Sequence, residues 1–240
     1  MATTKMSQKK RRTRRNDARQ WLYGLYAITP DDARYCADTL ALQTQVEQAI
    51  AGGACVIQYR NKSLQYTQKL AQAETIKSIC RANQVCFIIN DDLELAQATD
   101  ADGIHLGKDD SDLGGARRRL GEKAIIGISC YNRLDLALAA QAQGADYVAF
   151  GRFFPSQTKP DAVQADPDLL REAKAQLRIP IAAIGGITAE NAQPLIDAGA
   201  DMLAVIHSIF GDENVIQSAS RLAACFDRNL PDGPSTARPG

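Results

Sequence analysis

Gly144-Ala145-Asp146-Tyr147-Val148-Ala149-Phe150-Gly151 and Gly199-Ala200-Asp201-Met202-Leu203-Ala204-Val205-Ile206 are two versions of one phrase. Each follows a stretch with helical spacing and opens a short apolar run. A glycine accepts the left-handed backbone that ends a helix, and the chain then turns into a strand. Gly53-Ala54, ahead of Cys55, is a shorter third copy. Such phrases mark βαβ spacing, not a ligand site. Working outward from them, apolar runs of strand length lie at 23–29, 55–59, 86–90, 103–106, 124–128, 147–151, 181–184 and 202–206. Segments with helical spacing alternate with them, at 40–50, 66–81, 92–98, 112–120, 134–142, 167–177, 189–198 and 213–226. Strand then helix, repeated eight times, predicts an α/β protein with a single (β/α)8 TIM barrel. A doubly wound sheet would carry a Gly-rich dinucleotide loop after its first strand. Thr29-Pro30-Asp31-Asp32 stands there instead and cannot make that loop.

The length of 240 residues suits one barrel domain, expected over 21–228. The formal net charge is zero, yet residues 1–20 hold eight Lys or Arg against one acid, a surplus of seven positive charges. The remainder therefore carries seven surplus negative charges. The basic stretch lacks apolar periodicity and has no hydrophobic run behind it, so it reads as a solvated N-terminal tail rather than a secretory signal. Residues 229–240, rich in Pro, Gly and polar residues, read as a flexible C-terminal tail. A mildly acidic body argues against nucleic acid as a partner. No apolar run is long enough to span a membrane. The six cysteines contain no CxxC pair and several sit in apolar runs, which fits reduced thiols in the cytoplasm. Assembly into a homo-oligomer is compatible with the sequence.

In a parallel barrel all strand C-termini open on one face, and catalysis sits there. Polar residues gather after nearly every expected strand. Gln58-Tyr59-Arg60-Asn61-Lys62 follows the second, Asn90-Asp91-Asp92 the third and His105-Leu106-Gly107-Lys108-Asp109-Asp110 the fourth. Ser129 follows the fifth, Ser156-Gln157-Thr158-Lys159 the sixth, Gly185-Gly186 the seventh and Ile206-His207-Ser208 the eighth. Arg60, Lys62 and Lys159 supply cations, and Asp91 and Asp110 supply hard oxygen donors. That combination suits a magnesium-bound diphosphate, because Mg²⁺ takes one or two carboxylates and shares its other positions with water and phosphate oxygens. Gly185-Gly186 and the start of the last helix occupy the usual barrel phosphate site. Two anion sites imply two phosphorylated substrates or one long bisphosphorylated one.

Each residue also has a structural reading. Asp91 could cap the third helix and Asp112 the fourth. Ser129 could be a turn or cap residue, Arg60 and Lys62 a solvated loop, and Gly185-Gly186 a tight turn. His105 alternates with Ile104 and Leu106 and could be a hydrogen-bonded residue inside the barrel. With two histidines and no thiol pair, zinc is not expected.

In order along the chain, Gln58-Tyr59-Arg60-Asn61-Lys62, Asn90-Asp91, Asp102 to Asp110, Gly127-Ile128-Ser129, Phe154 to Lys159, Ala183 to Ile187 and Ala204 to His207 resemble successive motifs of the thiamine phosphate synthase family. The resemblance runs over residues 22–226. It implies that Gln58, Arg60, Lys62 and Asn90 hold an aminopyrimidine diphosphate, with Tyr59 and Asn61 in the same motif. Asp91 and Asp110 would bind Mg²⁺. Ser129 would contact the pyrimidine and Lys159 its diphosphate. Ser156, Thr158, Gly186 and the Ile206-His207 backbone would hold a thiazole phosphate or its carboxylated form, with Gln157 in the same loop. Arg60, Lys62, Lys159 and Ser129 would be the catalytic groups. Three positions depart from the family pattern: Ser156 for Thr, Arg152 where Pro is frequent, and His207 where Ser is usual. The implied chemistry is loss of diphosphate from the pyrimidine methylene, followed by attack of the thiazole nitrogen. Rival readings are a barrel that only isomerises the thiazole phosphate and a non-catalytic phosphate sensor.

Overall fold

Strands buried on both faces need helices on the outside and side chains on the inside. In the computed structural model, residues 21–107, 112–155 and 163–227 are described. The strands are β1 (Gly24–Ile28), β2 (Ala54–Tyr59), β3 (Cys86–Asn90), β4 (Gly103–Leu106), β5 (Ile125–Tyr131), β6 (Tyr147–Phe150), β7 (Ile181–Ile184) and β8 (Met202–Val205). All neighbours are parallel, and the sheet closes in sequence order with β1 paired to both β2 and β8. The expected (β/α)8 barrel is the observed one. Around it lie α1 (Ala33–Ala37), α2 (Thr39–Ala51), α3 (Tyr66–Ala82), α4 (Leu93–Ala98), α5 (Leu113–Leu120), α6 (Leu134–Ala142), α7 (Asp168–Gln176), α8 (Gln193–Asp197), α9 (His207–Phe210) and α10 (Val215–Asp227). No helix among the described residues is long and apolar enough to cross a membrane.

Most ends agree with the sequence reading within one or two residues, and the larger differences are these. α1 and α9 were not anticipated, because one turn of helix is too short to show a 3.6-residue period. β5 continues past 128 to Tyr131, which brings Ser129 inside a strand instead of a turn. α8 begins only at Gln193, with Pro194 in its first turn, a position where proline's missing N–H costs no bond.

Period-2 alternation sorts the buried residues into two clusters. Tyr26, Ile28, Val56, Ile88, Ile125, Tyr147 and Met202 pack within the barrel. Leu25, Ile57, Tyr59, Phe87, Ile104, Ile126, Val148 and Leu203 belong to the larger cluster between sheet and helices.

At the opposite end from the loops of interest, the strands are stitched by a repeated device. Asp102 accepts a hydrogen bond from Phe87 N, Asp146 from Ile126 N and Asp201 from Ile181 N, at 2.9, 3.0 and 2.9 Å. Each aspartate stands just before a strand and binds the backbone of the strand before it. Arg117 pairs with Asp146 and Lys174 with Asp201, so the helix that leads into the earlier strand is tied in as well. The glycines at the head of the two repeated phrases, Gly144 and Gly199, have φ of 94° and 111°. The repeated phrase is therefore a strand-entry staple.

Candidate active site

The same alternation decides which loop residues face the barrel mouth. A cavity of about 310 Å³ opens there, at the C-terminal ends of the strands. Gln58, Arg60, Asn90, His105 and Ser129 line one part of it. Arg152, Gly185, Gly186, Thr188 and His207 line another. Gln58 and Arg60 are two residues apart and both face in. Tyr59 and Asn61 have the opposite parity and do not line the cavity. Tyr59 is buried against α3, where its hydroxyl donates to Gln72 Oε1 at 2.9 Å. Asn61 serves its own loop, its Oδ1 accepting from Ser63 N and Leu64 N at 3.0 and 2.8 Å. The substrate contacts expected of these two side chains are therefore not placed at the cavity; parity gives them structural work.

The β2 loop is held from β1. Thr29 Oγ1 accepts from Arg60 N at 2.9 Å and donates to Arg60 O at 3.1 Å. Asp31 accepts from Lys62 N at 3.1 Å and from Ser63 Oγ at 2.9 Å, and its carboxylate lies 3.8 Å from the Arg60 guanidinium. Sequence reading passed over Asp31, because an acid in a Pro-Asp-Asp stretch after a strand looks like an ordinary turn or cap residue.

Asp91 has φ of 60° and is not a helix cap. Asp92 caps α4, accepting from Leu95 N at 2.9 Å. Asp112 caps α5 through Gly115 N at 2.7 Å. Asp91 instead reaches toward β4. Its backbone N donates to His105 O at 2.9 Å, and its carboxylate accepts from Gly107 N at 3.3 Å and Asn90 Nδ2 at 2.6 Å. Lys62 Nζ lies 3.6 Å from Asp91 Oδ2. The half-buried carboxylate is a hard oxygen donor of the kind Mg²⁺ takes, and in this structure the Lys62 ammonium pairs with its charge. Asp110, Ser156, Gln157, Thr158 and Lys159 lie outside the described residues.

At the other part of the cavity, Gly185 and Gly186 have φ of 102° and 65°. A side chain at Gly186 would fall 2.3 Å from Pro155 O, so the turn from β7 admits only glycine where the β6 loop crosses it. Asn191 braces this turn, accepting from Thr188 N at 2.8 Å and donating to Gly186 O at 3.0 Å. Ser208 Oγ donates to Ile187 O at 2.6 Å and ties the β8 loop to it. Ile206 and His207 line this part, with the His207 side chain against Gly211.

The barrel interior beneath the cavity carries groups that the motif reading did not single out. Tyr26 and Tyr147 are buried inside the barrel, their hydroxyls 2.8 Å apart. Burial pushes both phenols well above their ordinary range, so both stay protonated. His105 is the hydrogen-bonded interior residue its alternation suggested, with ring nitrogens 2.9 Å from Tyr147 Oη and 2.9 Å from Ser129 Oγ. Inward parity at positions 26 and 147 was the available signal.

A fold with this mouth hosts many chemistries, so the arrangement alone does not name one. The family model of thiamine monophosphate synthase matches residues 25–209. The chain belongs to that family. Thiamine-phosphate synthase of Thiobacillus denitrificans is 50% identical over 203 residues, covering 85% of this chain and 94% of the relative. That of Marinobacter nauticus is 54% identical over 190 residues, covering 79% and 84%. Among solved structures, thiamine phosphate pyrophosphorylase from Pyrococcus furiosus superposes with a TM-score of 0.77 at 32% identity, covering 88% of this chain and 98% of its own. As a member of the thiamine monophosphate synthase family, the chain is an enzyme, a transferase of thiamine biosynthesis. The matched span contains every residue that lines the cavity.

Proposed function

We propose that this enzyme joins 4-amino-2-methyl-5-(diphosphooxymethyl)pyrimidine to thiazole phosphate, or to its carboxylated form, giving thiamine phosphate and diphosphate, with the carboxyl group of the carboxylated form leaving as carbon dioxide. The observation that carries this reading is the make-up of the cavity wall. Arg60 stands in one part, and the glycine-only turn stands in another; the Lys62–Asp91 pair lies on the loops after β2 and β3, outside the cavity lining. A diphosphate and a phosphate thus each find a suitable place, with the polar floor of Gln58, His105 and Ser129 beside them.

In the reaction the methylene carbon–oxygen bond breaks, its electron pair leaves with the diphosphate, and the thiazole nitrogen supplies the pair for the new carbon–nitrogen bond. Arg60, Lys62 and Lys159 offset charge on the departing group, and the other groups hold the two rings in line. Asp91 fits a magnesium ligand by donor type, with Asp110 as its partner, and Lys62 would then turn from Asp91 to the diphosphate. Magnesium held there supplies further charge offset on the diphosphate. The protein atoms around the thiazole phosphate hold and orient it, and no acid–base role is assigned to His207.

The test is direct. The protein is incubated with both substrates and Mg²⁺, and the product is read by mass. Thiamine phosphate should form only when both are present. Conversion of thiazole phosphate alone to an isomer, without condensation, would replace this reading with the isomerase. Binding of either compound without turnover would replace it with the sensor.

A further inference from the structure

The turn after β7 runs from Gly185 to Thr188, and three of its carbonyls are tied down in succession. Phe154 N donates to Gly185 O at 3.0 Å. Asn191 Nδ2 donates to Gly186 O at 3.0 Å, and Ser208 Oγ donates to Ile187 O at 2.6 Å. Asn191 also closes the far end of the turn. Its Oδ1 accepts from Thr188 N at 2.8 Å, and its own backbone N donates to Thr188 O at 3.3 Å. The partners fix which way round this amide lies, because a backbone carbonyl only accepts and a backbone N–H only donates.

A trans peptide unit is planar, with its N–H opposite its C=O. Both peptide bonds of Gly186 are trans. Holding Gly185 O therefore turns the Gly186 N–H the other way, and holding Gly186 O does the same for the Ile187 N–H. The Thr188 N–H is taken up by Asn191. The Gly186 and Ile187 N–H groups meet no protein acceptor among the described residues. Gly186 and Ile187 line the cavity and Asn191 does not, so the braced side of the Gly186–Ile187 peptide faces away from the cavity and the N–H side faces it. Two glycines with φ of 102° and 65° leave the turn free to take other shapes, and the Asn191 bonds remove that freedom. Successive N–H groups aimed at one place suit an anion.

We propose that Asn191 is a positioning residue, which holds the Gly186–Ile187 peptide so that its N–H meets the phosphate of the thiazole substrate. That phosphate takes no part in the bond exchange, so the contact is equally strong before and during reaction. Its loss should appear in affinity and not in turnover. The identity of the phosphate compound rests on the proposed condensation; the brace is a property of the free protein.

The test titrates thiazole phosphate into the full chain by calorimetry and measures steady-state kinetics with both substrates and Mg²⁺. Asn191→Ala removes both side-chain bonds. It should weaken thiazole phosphate binding and raise its KM about tenfold, with kcat and the KM of the pyrimidine diphosphate within about twofold. Asn191→Asp keeps an acceptor for Thr188 N but has no donor for Gly186 O. It should weaken binding as well, and its ratio to wild type should persist at about 1 M salt, where screening suppresses direct repulsion of the phosphate. This second variant carries the test if Asn191→Ala does not fold. Wild-type affinity in the folded variants would overturn the proposal. So would a fall in kcat or an equal rise in both KM values, since either marks a general loosening of the barrel. A weakening by Asn191→Asp that disappears with salt would reduce the effect to charge and overturn it too. If the wild type binds thiazole phosphate, shows these binding differences and yet forms no thiamine phosphate, the condensation is struck and the brace stands. A wild type that does not bind thiazole phosphate would strike both.

Discussion

Tyr59 and Arg60 are adjacent in the chain and face opposite sides of one strand. Tyr59→Phe removes only the bond to Gln72, so it should cost about 1 kcal/mol of stability in denaturant unfolding and leave both KM values alone. Arg60→Met should fold normally and lose about 100-fold in turnover, read by steady-state kinetics. Equal effects of the two would return Tyr59 to the substrate site. Asp91 and Asp92 make a second such pair. Asp92→Ala removes the α4 cap and should lower stability by about 1 kcal/mol without altering Mg²⁺ dependence. Asp91→Asn should do the reverse, keeping the melting temperature and raising the Mg²⁺ concentration needed for half activity. Its defect should be far from additive with that of Asp110→Asn, because either change disables the same ion. If Asp91→Asn melted early and kept a normal Mg²⁺ titration, Asp91 would be a structural residue.

At the scale of elements, the strand-entry aspartates look alike in sequence but differ in partners. Asp146 faces Arg117, and their side chains are 7% and 14% exposed. Asp146→Asn would leave a buried guanidinium without its carboxylate and should cost about 3 kcal/mol. Asp102 differs because burial is the main influence on it, raising its pKa against the opposing effects of the Phe87 N–H and Lys77. A carboxyl whose folded pKa exceeds its unfolded value binds its proton more tightly in the folded state. Its ionisation therefore weakens folding above the folded pKa, and that cost vanishes as pH falls through it. Asp102→Asn keeps an oxygen for Phe87 N and should be neutral or mildly stabilising at pH 7, with the advantage fading toward acid. Parallel melting curves of the two variants at pH 7 and pH 4.5 check both. A loss at Asp102→Asn equal to that at Asp146→Asn would mean that the charge itself holds this entry.

At the scale of the whole molecule, the barrel closes through β1 and β8, from Gly24↔Met202 to Ala27↔Val205. The family match begins at residue 25, beyond the basic stretch. Deleting residues 1–20 should therefore leave kcat and both KM values within about twofold at moderate salt, where screening weakens any long-range pull of seven surplus charges on anionic substrates. A tenfold fall in turnover by a folded truncation would give the tail a catalytic role.

The order of strands and helices was legible in sequence, because period 2, period 3.6 and glycine at helix ends are local signals. So were the loops that carry the site, since a parallel barrel sends every strand end to one face. Parity along β2 was also present in the sequence and would have separated Gln58 and Arg60 from Tyr59 and Asn61, had it been weighed above the motif. What tertiary structure alone decided are the meetings between distant positions. Which of two adjacent aspartates caps a helix depends on backbone dihedrals, and the φ of 60° at Asp91 turns its carboxylate toward Gly107. The hydroxyls of Tyr26 and Tyr147 meet across 121 positions of chain, which no local pattern encodes. They can meet only because the sheet closes and Gly127 leaves the space their rings occupy.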